Sequence, residues 1–238
     1  MTDLDLLRVV LVASRNPLNI GAAARAMSNF GYAHLRVVNP YEPAFREARS
    51  AVGASELLAS AEVYAETCDA VADCTLVVGT TAVRHRVLQQ PLRSVEAGAR
   101  LIRKRMRAGQ VALLFGSERV GLSNEDLSHC HWLMRIPTCE KNISMNLGQA
   151  VAVCLYELAR SEKASPGSAK KELAKGEDVE RITSMLDEAL RASGYPGPRS
   201  SNELKIRRLV RRMDLSASDS EVWLGILRQI LWKVQSEE

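Results

Sequence analysis

Residues 111–115 read Val-Ala-Leu-Leu-Phe, an apolar run without polar alternation. Such a strand is expected where a sheet is buried on both faces, as parallel sheets covered by helices are. Comparable runs lie at Arg8–Ala13, His34–Asn39, Thr75–Gly79 and Trp132–Ile136. Segments with helical spacing separate these runs, and the alternation predicts an α/β fold with a mostly parallel sheet.

The helical patterns are clearest near Asn19–Phe30, Leu92–Arg107 and Met145–Arg160. The second of them repeats apolar residues at helical spacing, at Leu92, Val95, Ala99, Ile102 and Met106. We therefore assign residues 1–160 to one α/β domain.

A change of composition follows this domain. Residues 161–177 read SEKASPGSAKKELAKGE and show no apolar periodicity, so we interpret them as a flexible linker. Residues 178–238 predict a small all-helical C-terminal domain of three helices. We expect the third helix to begin at a cap, Ser218 or Asp219, and to carry an apolar face made of Val222, Trp223, Ile226, Leu227, Ile230 and Val234.

The composition is that of an ordinary globular protein. Of 238 residues, 46% are hydrophobic and 25% are charged, which excludes disordered and collagen-like chains. The five cysteines form no C-x-x-C pair and their odd number disfavours a disulfide framework, so we expect a reducing cytoplasm. The acidic start differs from a signal peptide and no apolar run approaches the roughly 18 residues of a membrane span, so we expect no membrane association.

Common nucleotide and hydrolase motifs are missing from the sequence. It contains neither G-x-G-x-x-G nor G-x-S-x-G. Gly116 and Gly121 frame a G-x-x-x-x-G, but Leu122-Ser123 follows where a phosphate-binding loop needs a lysine. The run 129–131, His-Cys-His, together with Cys139 matches no common zinc spacing, so we predict no metal site.

Polar residues follow the first strand in an unusual setting. The segment 16–26 reads NPLNIGAAARA, in which small residues allow another backbone or a ligand to approach closely. Arg25 lies about one and a half turns after Asn19 and can hold an anion with its five donors. The alternative is a capped helix whose Arg25 extends into solvent, and the spacing by itself favours that alternative.

Two further segments follow later strands. Residues 115–125 place Glu118 and two glycines after an apolar strand, where open α/β sheets bind ligands; the alternative is a plain turn capped by Ser123 or Asn124. Residues 136–147 join a strand to the last helix of the domain, and Ser144 is a candidate cap of that helix.

Together these segments resemble the motifs of the SPOUT methyltransferases, in the TrmH-like branch that methylates the ribose 2′-hydroxyl of RNA. The motifs are N-x-G-A-x-A-R-A (19–26), F-G-x-E-x-x-G-L (115–122) and a segment from Ile-Pro (136–137) to Ser-x-Asn-Leu (144–147). Residues 77–82, Arg84, Arg86 and the helical tail are also similar to the TrmJ-type tRNA methyltransferases. Met145 stands where that motif more often has leucine, a change that conserves volume.

This resemblance implies a parallel-sheet SPOUT domain with a C-terminal trefoil knot, which binds S-adenosylmethionine and works as a homodimer. By position, the residues implied to hold the cofactor are Thr80, Thr81, Ala82, Gly116, Ile136, Ile143, Ser144 and Met145. Those implied to be catalytic are Asn19, Arg25, Glu118, Ser144 and Asn146. Because the family completes its site across the dimer, Arg25 is expected to serve the cofactor of the other subunit.

The family's arginine is credited with activating the ribose hydroxyl. A guanidinium holds its proton at neutral pH, so base action by Arg25 would need a strong local perturbation. We therefore favour Arg25 as an anchor for phosphate and hydroxyl oxygens that stabilises the developing alkoxide.

The positive charge is concentrated in two stretches. The net charge is +4, yet residues 84–107 carry +7 and residues 199–212 carry +5, which leaves −8 for the rest of the chain. In the tail we expect the cationic side chains to lie opposite an apolar side formed by Ile206, Leu209, Val210 and Met213. We predict that RNA contacts Arg84, Arg86, Arg103, Lys104, Lys205, Arg208 and Arg212.

The leading hypothesis is a methyltransferase acting on the ribose of a tRNA cytidine or uridine, at nucleotide 32 of the anticodon loop. Ribosomal RNA is the nearest alternative substrate, because the ribose chemistry is the same. A non-catalytic RNA-binding protein with the same fold is an alternative of a different class, against which the joint presence of Arg25, Glu118, Ser144 and Asn146 argues.

Overall fold

Seven parallel strands form one sheet in the part of the chain described by the computed structural model, residues 3–50, 55–82, 88–160, 172–195 and 203–236. Their spatial order is β3-β2-β1-β6-β4-β7-β5. The strands are β1 (Leu7–Val12), β2 (Leu35–Val38), β3 (Glu62–Tyr64), β4 (Leu76–Thr80), β5 (Leu92–Ser94), β6 (Val111–Phe115) and β7 (Trp132–Arg135). The α/β fold class is confirmed, and the trefoil knot stays a prediction.

Helices connect and cover the strands. In the α/β domain they are α1 (Pro17–Asn29), α2 (Glu42–Ser50), α3 (Ser55–Ala59), α4 (Thr67–Ala70), α5 (Val95–Met106), α6 (Asn124–Ser128) and α7 (Leu147–Ala159). The tail contains α8 (Gly176–Ala192), α9 (Glu203–Arg212) and α10 (Ala217–Gln235). In the described residues, none of these helices combines the length and apolar character needed to cross a membrane.

Both faces of the sheet are buried, as the apolar strands predict. Along β1, Val9 and Leu11 join an apolar core that includes α1, α5 and α7. The alternate residues Val10 and Val12 join a second core on the opposite face, which includes α4 and α6. The strand β6 lies at the centre, where Leu113 pairs with Val9 of β1 and with Val78 of β4.

The short edge strands β3 and β5 differ from the sequence prediction. Leu92 begins β5, although its spacing placed it in the helix that follows, and α5 begins at Val95. Each edge strand has three residues, and all of β5 is exposed. Edge strands need no long apolar run, so the pattern that reveals buried strands does not detect them.

The tail folds around its own apolar core and also contacts the α/β domain. The helix α8 begins at Gly176, and the main-chain N–H of Glu177 donates to the Ala72 carbonyl at 2.6 Å. Leu173 pairs with Ser216 in an isolated bridge. The predicted division into domain, linker and tail stays a prediction, although α8 begins inside the segment assigned to the linker.

The last helix corrects two expectations. Ser216 caps α10, in a capping box with Asp219, so neither Ser218 nor Asp219 is the cap. The helix buries a stripe made of Leu224, Leu227 and Leu231, whereas Val222, Ile226 and Ile230 are exposed. The helix carries apolar residues on two adjacent stripes, so its sequence does not show which stripe is buried. In the structure, the helix packs against α8 with one of them.

Candidate active site

A cavity of about 450 Å³ lies at the carboxyl ends of β4, β6 and β7, which are neighbours in the sheet. The loops after these strands form its walls, because parallel strands bring their carboxyl ends to one edge. The structure brings every residue predicted to hold the cofactor to this cavity, namely Thr80, Thr81, Ala82, Gly116, Ile136, Ile143, Ser144 and Met145. Glu118 lines it as well.

The loop after β6 folds back on itself at its two glycines. Ser117 and Gly121 form an isolated bridge, in which the Gly121 N–H donates to the Ser117 carbonyl at 2.8 Å. A Cβ atom at Gly116 would lie 2.1 Å from the Leu122 nitrogen, and Gly121 adopts a φ of +70°. A side chain at either position would therefore clash or strain the backbone, which explains both glycines of this motif.

Asn146, not Ser144, caps the last helix of the domain. The Asn146 side-chain oxygen accepts the Gly148 N–H at 3.0 Å and the Gln149 N–H at 3.4 Å. The expectation for Ser144 was wrong because the helix begins at Leu147, so the preceding residue holds the capping position. Ser144 lies on the exposed rim of the cavity instead.

Three of the predicted catalytic residues form one hydrogen-bonded chain beside the cavity. The Asn146 amide donates to the Asn19 side-chain oxygen at 2.8 Å, and the Asn19 amide donates to Glu118 Oε1 at 2.9 Å. The chain joins α7, α1 and the loop after β6. The three motifs, distant in the sequence, therefore meet at one place.

The small residues of the first motif explain how Asn19 and Asn146 come together. The helices α1 and α7 pack closely, and a Cβ at Gly148 would lie 2.5 Å from the Ala22 Cβ. Larger side chains at these positions would push the two helices apart. The small residues of the first motif allowed either another backbone or a ligand to approach closely. In the structure, the backbone of α7 makes this approach.

Arg25 has a different setting from the other predicted catalytic residues. It is on the exposed side of α1 and is not among the described residues that line the cavity. Leu18, seven residues before Arg25 on α1, is 79% exposed, and Tyr156 on α7 is 52% exposed. The packed pair α1 and α7 therefore leaves large apolar side chains uncovered.

Several contributors to the site were missed by the sequence analysis. Leu122 and Leu127 line the cavity as buried apolar side chains. Thr138 also lines it and donates to the Ile143 carbonyl at 3.1 Å, which shapes the loop after β7. The main-chain N–H of Arg15 approaches Glu118 Oε2 at 3.5 Å. Leu122 and Thr138 stand inside quoted motifs, at positions that the motifs leave unassigned to a role, whereas Arg15 and Leu127 lie outside the motifs and gave no local signal.

The His-Cys-His run has a structural setting. Nδ1 of His131 accepts the Val77 N–H at 3.1 Å, and burial, followed by the charge of Arg211, lowers the pKa of His131 to about 3. Cys130 is buried, whereas Cys139 is exposed. Across the described ranges, no group of His, Cys, Asp and Glu side chains is arranged to hold a metal ion. The expectation of a metal-free protein stays a prediction.

The predicted RNA-binding residues of the first basic stretch differ in their structural settings. Arg84 and Arg86 lie outside the described residues. Lys104 is exposed on α5. Arg103, in contrast, donates to the Glu157 carbonyl at 2.5 Å and to the Leu158 carbonyl, near the end of α7.

The tail helix α9 contradicts the expected division into a basic side and an apolar side. Arg207 and Arg211 are buried, whereas Leu209 and Met213 are 50% and 40% exposed. Lys205 and Arg212 are exposed, and Arg208 is half-buried. The expectation failed because carboxylates from α6 and α8 surround the two buried arginines, and a helical pattern carries no information about such partners.

The two basic stretches meet in the structure. Arg105 of α5 forms an ion pair with Asp214, two residues after the end of α9. Arg212 approaches the Gln89 carbonyl at 3.4 Å. The carboxyl ends of α5 and α9 are therefore adjacent.

The model of the SpoU rRNA Methylase family matches residues 6–156, which contain all three motifs. The chain belongs to this family. It is 36% identical to the tRNA (cytidine/uridine-2′-O-)-methyltransferase TrmJ of Pectobacterium atrosepticum, over 98% of both chains. It is 35% identical to the TrmJ of Photorhabdus laumondii, again over 98% of both chains.

Solved structures of methyltransferases are also similar to this chain. The crystal structure of TrmJ from Z. mobilis superposes with a TM-score of 0.81 at 31% identity, and covers 94% of this chain and 98% of that one. The SpoU methyltransferase AviRb from Streptomyces viridochromogenes, in complex with the cofactor AdoMet, matches with a TM-score of 0.50 at 25% identity, over 66% of this chain and 57% of that one. The predicted similarity to SPOUT methyltransferases of TrmJ type is confirmed.

Proposed function

We propose that this chain is an S-adenosylmethionine-dependent enzyme that methylates the ribose 2′-hydroxyl of a cytidine or uridine in tRNA, at nucleotide 32 of the anticodon loop. The names of its relatives describe tRNA cytidine/uridine 2′-O-methyltransferases. One observation carries the proposal: a single cavity gathers every predicted cofactor residue and adjoins the chain from Asn146 through Asn19 to Glu118.

The residues of the cavity fit S-adenosylmethionine. A volume of about 450 Å³ lies within the ~300–1,000 Å³ of small-molecule sites. The side chains of Leu122, Leu127 and Ile136 offer apolar contact for an adenine ring, and Glu118 contributes a negative charge that favours a cationic sulfonium. When bound, the cofactor supplies an activated methyl group on a positively charged sulfur.

The polar chain has a positioning role. Asn19 uses both ends of its amide, one toward Asn146 and the other toward Glu118, so its side chain has one fixed orientation. Fixed groups lower the barrier because less freedom is lost on the way to the transition state; correct alignment of reactants supplies roughly 7–11 kcal/mol. Arg25 anchors phosphate and hydroxyl oxygens and stabilises the negative charge that develops on the attacking oxygen.

We propose that the enzyme is a homodimer in which Arg25 completes the cavity of the partner subunit. Two observations support this arrangement: Arg25 does not line the cavity of its own chain, and Leu18 on α1 and Tyr156 on α7 leave large apolar side chains exposed. A partner subunit that covers these side chains would remove their apolar surface from water, which favours association. The five free cysteines agree with a reducing cytoplasm as the site of action.

For RNA binding we propose one surface that crosses from α5 to the tail. Lys104, Lys205 and Arg212 are exposed and contribute positive charge to it. Contacts at the carboxyl ends of α5 and α9 make the two basic stretches neighbours. A continuous basic surface suits the phosphate backbone of a folded RNA. Arg84, Arg86, Arg103 and Arg208 remain predictions for the same role.

The experiment that tests this function uses the purified protein with isotope-labelled S-adenosylmethionine and unmodified tRNA. Ribose methylation is mapped by mass spectrometry of nuclease fragments, with ribosomal RNA as a parallel substrate. We expect one labelled 2′-O-methyl group on cytidine or uridine at nucleotide 32. Label on another tRNA nucleotide would refute the assignment to nucleotide 32, and label on ribosomal RNA alone would favour the alternative substrate. Absence of methyl transfer would favour a non-catalytic RNA-binding protein with the same fold.

A further inference from the structure

Arg207, on the inner side of α9, joins the tail to the α/β domain. Its Nη1 donates to Glu125 Oε1 at 2.6 Å and to Ser128 Oγ at 3.3 Å, both on α6. Its Nε donates to Glu180 Oε1 on α8 at 3.1 Å, and its Nη2 donates to Glu203 Oε1 at 3.1 Å. One buried guanidinium therefore links α6, α8 and α9.

The helix α6 depends on contacts of this kind. It has five residues, too few for a helix to be stable by itself. Its first turn is fixed by a capping box between Ser123 and Asp126, and Asp126 also accepts the Thr67 hydroxyl at 2.6 Å. Gln90 donates to the Leu127 carbonyl at 2.6 Å. On the side that faces the tail, the contacts to α6 come from Arg207.

The same short helix forms part of the cavity wall. The loop after β6 runs from Gly116 to Leu122 and enters α6 through its cap. Leu122 and Leu127 are buried and line the cavity, one at each side of this junction. Protein interiors are close-packed, so a shift of α6 is transmitted to these side chains.

The charges make the contact of Arg207 strong. Burial disfavours its positive charge, but Glu180, Glu125 and Glu203 outweigh burial and raise the pKa of Arg207. Without Arg207 these carboxylates would face one another with less compensation, and Glu180 would retain Arg211 at 3.6 Å. Loss of this guanidinium is therefore expected to displace Glu125 and α6.

We propose that Arg207 is a positioning residue for the cofactor cavity: by holding Glu125 and Ser128 it fixes α6, and thereby the cavity wall at Leu122 and Leu127. The inference rests on the proposed function, because it takes the cavity to be the S-adenosylmethionine site. The tail then contributes to cofactor binding in the absence of RNA.

The test is titration calorimetry of the full chain with S-adenosylmethionine and without RNA. The variants are Arg207→Gln, Glu125→Gln and the double variant. Arg191→Gln is the matched control, because Arg191 pairs with Asp187 on the exposed side of α8 and its side chain is 69% exposed. Circular dichroism and thermal melting are recorded for each variant, and Glu125→Gln decides the question if Arg207→Gln does not fold, since the Glu125 side chain is 56% exposed.

We expect the wild type and Arg191→Gln to bind with the same dissociation constant. Arg207→Gln and Glu125→Gln should each weaken binding by at least about fivefold, and the double variant should be no weaker than the more affected single variant, because coupled residues are not additive. Folded variants that bind as the wild type does, with only a lower melting temperature, would overturn the inference and leave a stabilising role. Absence of binding by the wild type itself would instead refute the proposed function together with the inference.

Discussion

The helices α5 and α9 are both rich in arginine and lysine, but the fold uses them differently. On α5, Lys104 and Arg100 extend to the surface, and Arg100 forms an exposed pair with Glu96. On α9, Arg207 and Arg211 are buried, and Arg211 is 2% exposed. Two helices of similar charge density therefore differ in burial: α5 leaves Lys104 and Arg100 in solvent, whereas α9 buries Arg207 and Arg211 against carboxylates. The local sequence does not distinguish these roles, because two carboxylates that pair with Arg207, those of Glu125 and Glu180, belong to other helices.

The largest effect is expected at an exposed arginine outside both helices, Arg25. We expect Arg25→Ala to lower kcat by roughly 10²- to 10³-fold, the loss typical of one donor that stabilises a developing oxyanion. The dissociation constant for S-adenosylmethionine should stay unchanged, because the role proposed for Arg25 is to hold phosphate and hydroxyl oxygens of the RNA and not the cofactor. Single-turnover kinetics and calorimetry measure the two quantities. Turnover near that of the wild type would exclude Arg25 from the reaction.

A mixed dimer sharpens this prediction. Gly116→Val retains Arg25 but displaces the loop after β6 that forms the cavity wall, since its side chain would clash with the Gly121 and Leu122 backbone. Arg25→Ala retains the cavity, and we expect each variant alone to be inactive. Co-refolding the two should restore up to about one quarter of wild-type activity, because half of the dimers are mixed and each contains one complete site. No recovery, with mixed dimers verified by native mass spectrometry, would show that Arg25 serves its own subunit.

The next effect concerns stability and separates the two helices directly. Arg207→Gln removes a buried guanidinium that pairs with the partly buried Glu180 and the more exposed Glu125, and should lower the free energy of unfolding by about 2–3 kcal/mol. Lys104→Gln, on the exposed surface of α5, should change it by less than about 0.5 kcal/mol. Urea unfolding followed by circular dichroism measures both values. Equal, small changes would remove the distinction between the helices.

His129, which lies within reach of Glu125 and Glu180, adds a pH dependence to the attachment of the tail. Burial, then the charges of Arg211 and Arg207, lower the pKa of His129 from 6.5 to about 3. The folded chain keeps it neutral, so its contribution to stability is present above pH 6.5 and is lost as the pH falls toward 3, by up to ~1.4 kcal/mol per unit. Between pH ~6.5 and ~5, the free energy of unfolding of His129→Gln should fall by about 2 kcal/mol less than that of the wild type. Urea unfolding measures both values. An identical pH profile would contradict a neutral His129.

The smallest effect is expected in RNA affinity. Lys104→Gln and Arg212→Gln should each weaken tRNA binding several-fold and reduce the slope of log K against log salt by about 0.7–0.9, as loss of one phosphate contact does. Arg207→Gln should leave that slope unchanged, because Arg207 is buried against carboxylates. Filter binding across a salt series checks both statements. A reduced slope for Arg207→Gln would show that α9 binds RNA with its inner side.

The sequence predicted the parts of the structure that depend on local patterns. The apolar strands and the loops after them follow from such patterns, whereas the cofactor residues were implied by the resemblance of three motifs to the SPOUT methyltransferases, and the structure brings them to one cavity. The helix cap at Asn146 was missed because it depends on where the helix begins, within one or two residues. The burial of Arg207 was missed because Glu125 lies 82 residues away in the chain. Interactions between distant segments give no signal in a single helical pattern.

Ribose methylation of cellular tRNA tests the central claim most directly. Bulk tRNA from a strain that lacks this protein is compared by mass spectrometry with tRNA from the same strain supplied with the wild-type chain or with Arg25→Ala. We predict that 2′-O-methylcytidine and 2′-O-methyluridine at nucleotide 32 are lost without the protein, return with the wild type and do not return with the variant. Unchanged methylation of nucleotide 32 in the strain without the protein would contradict the proposed function.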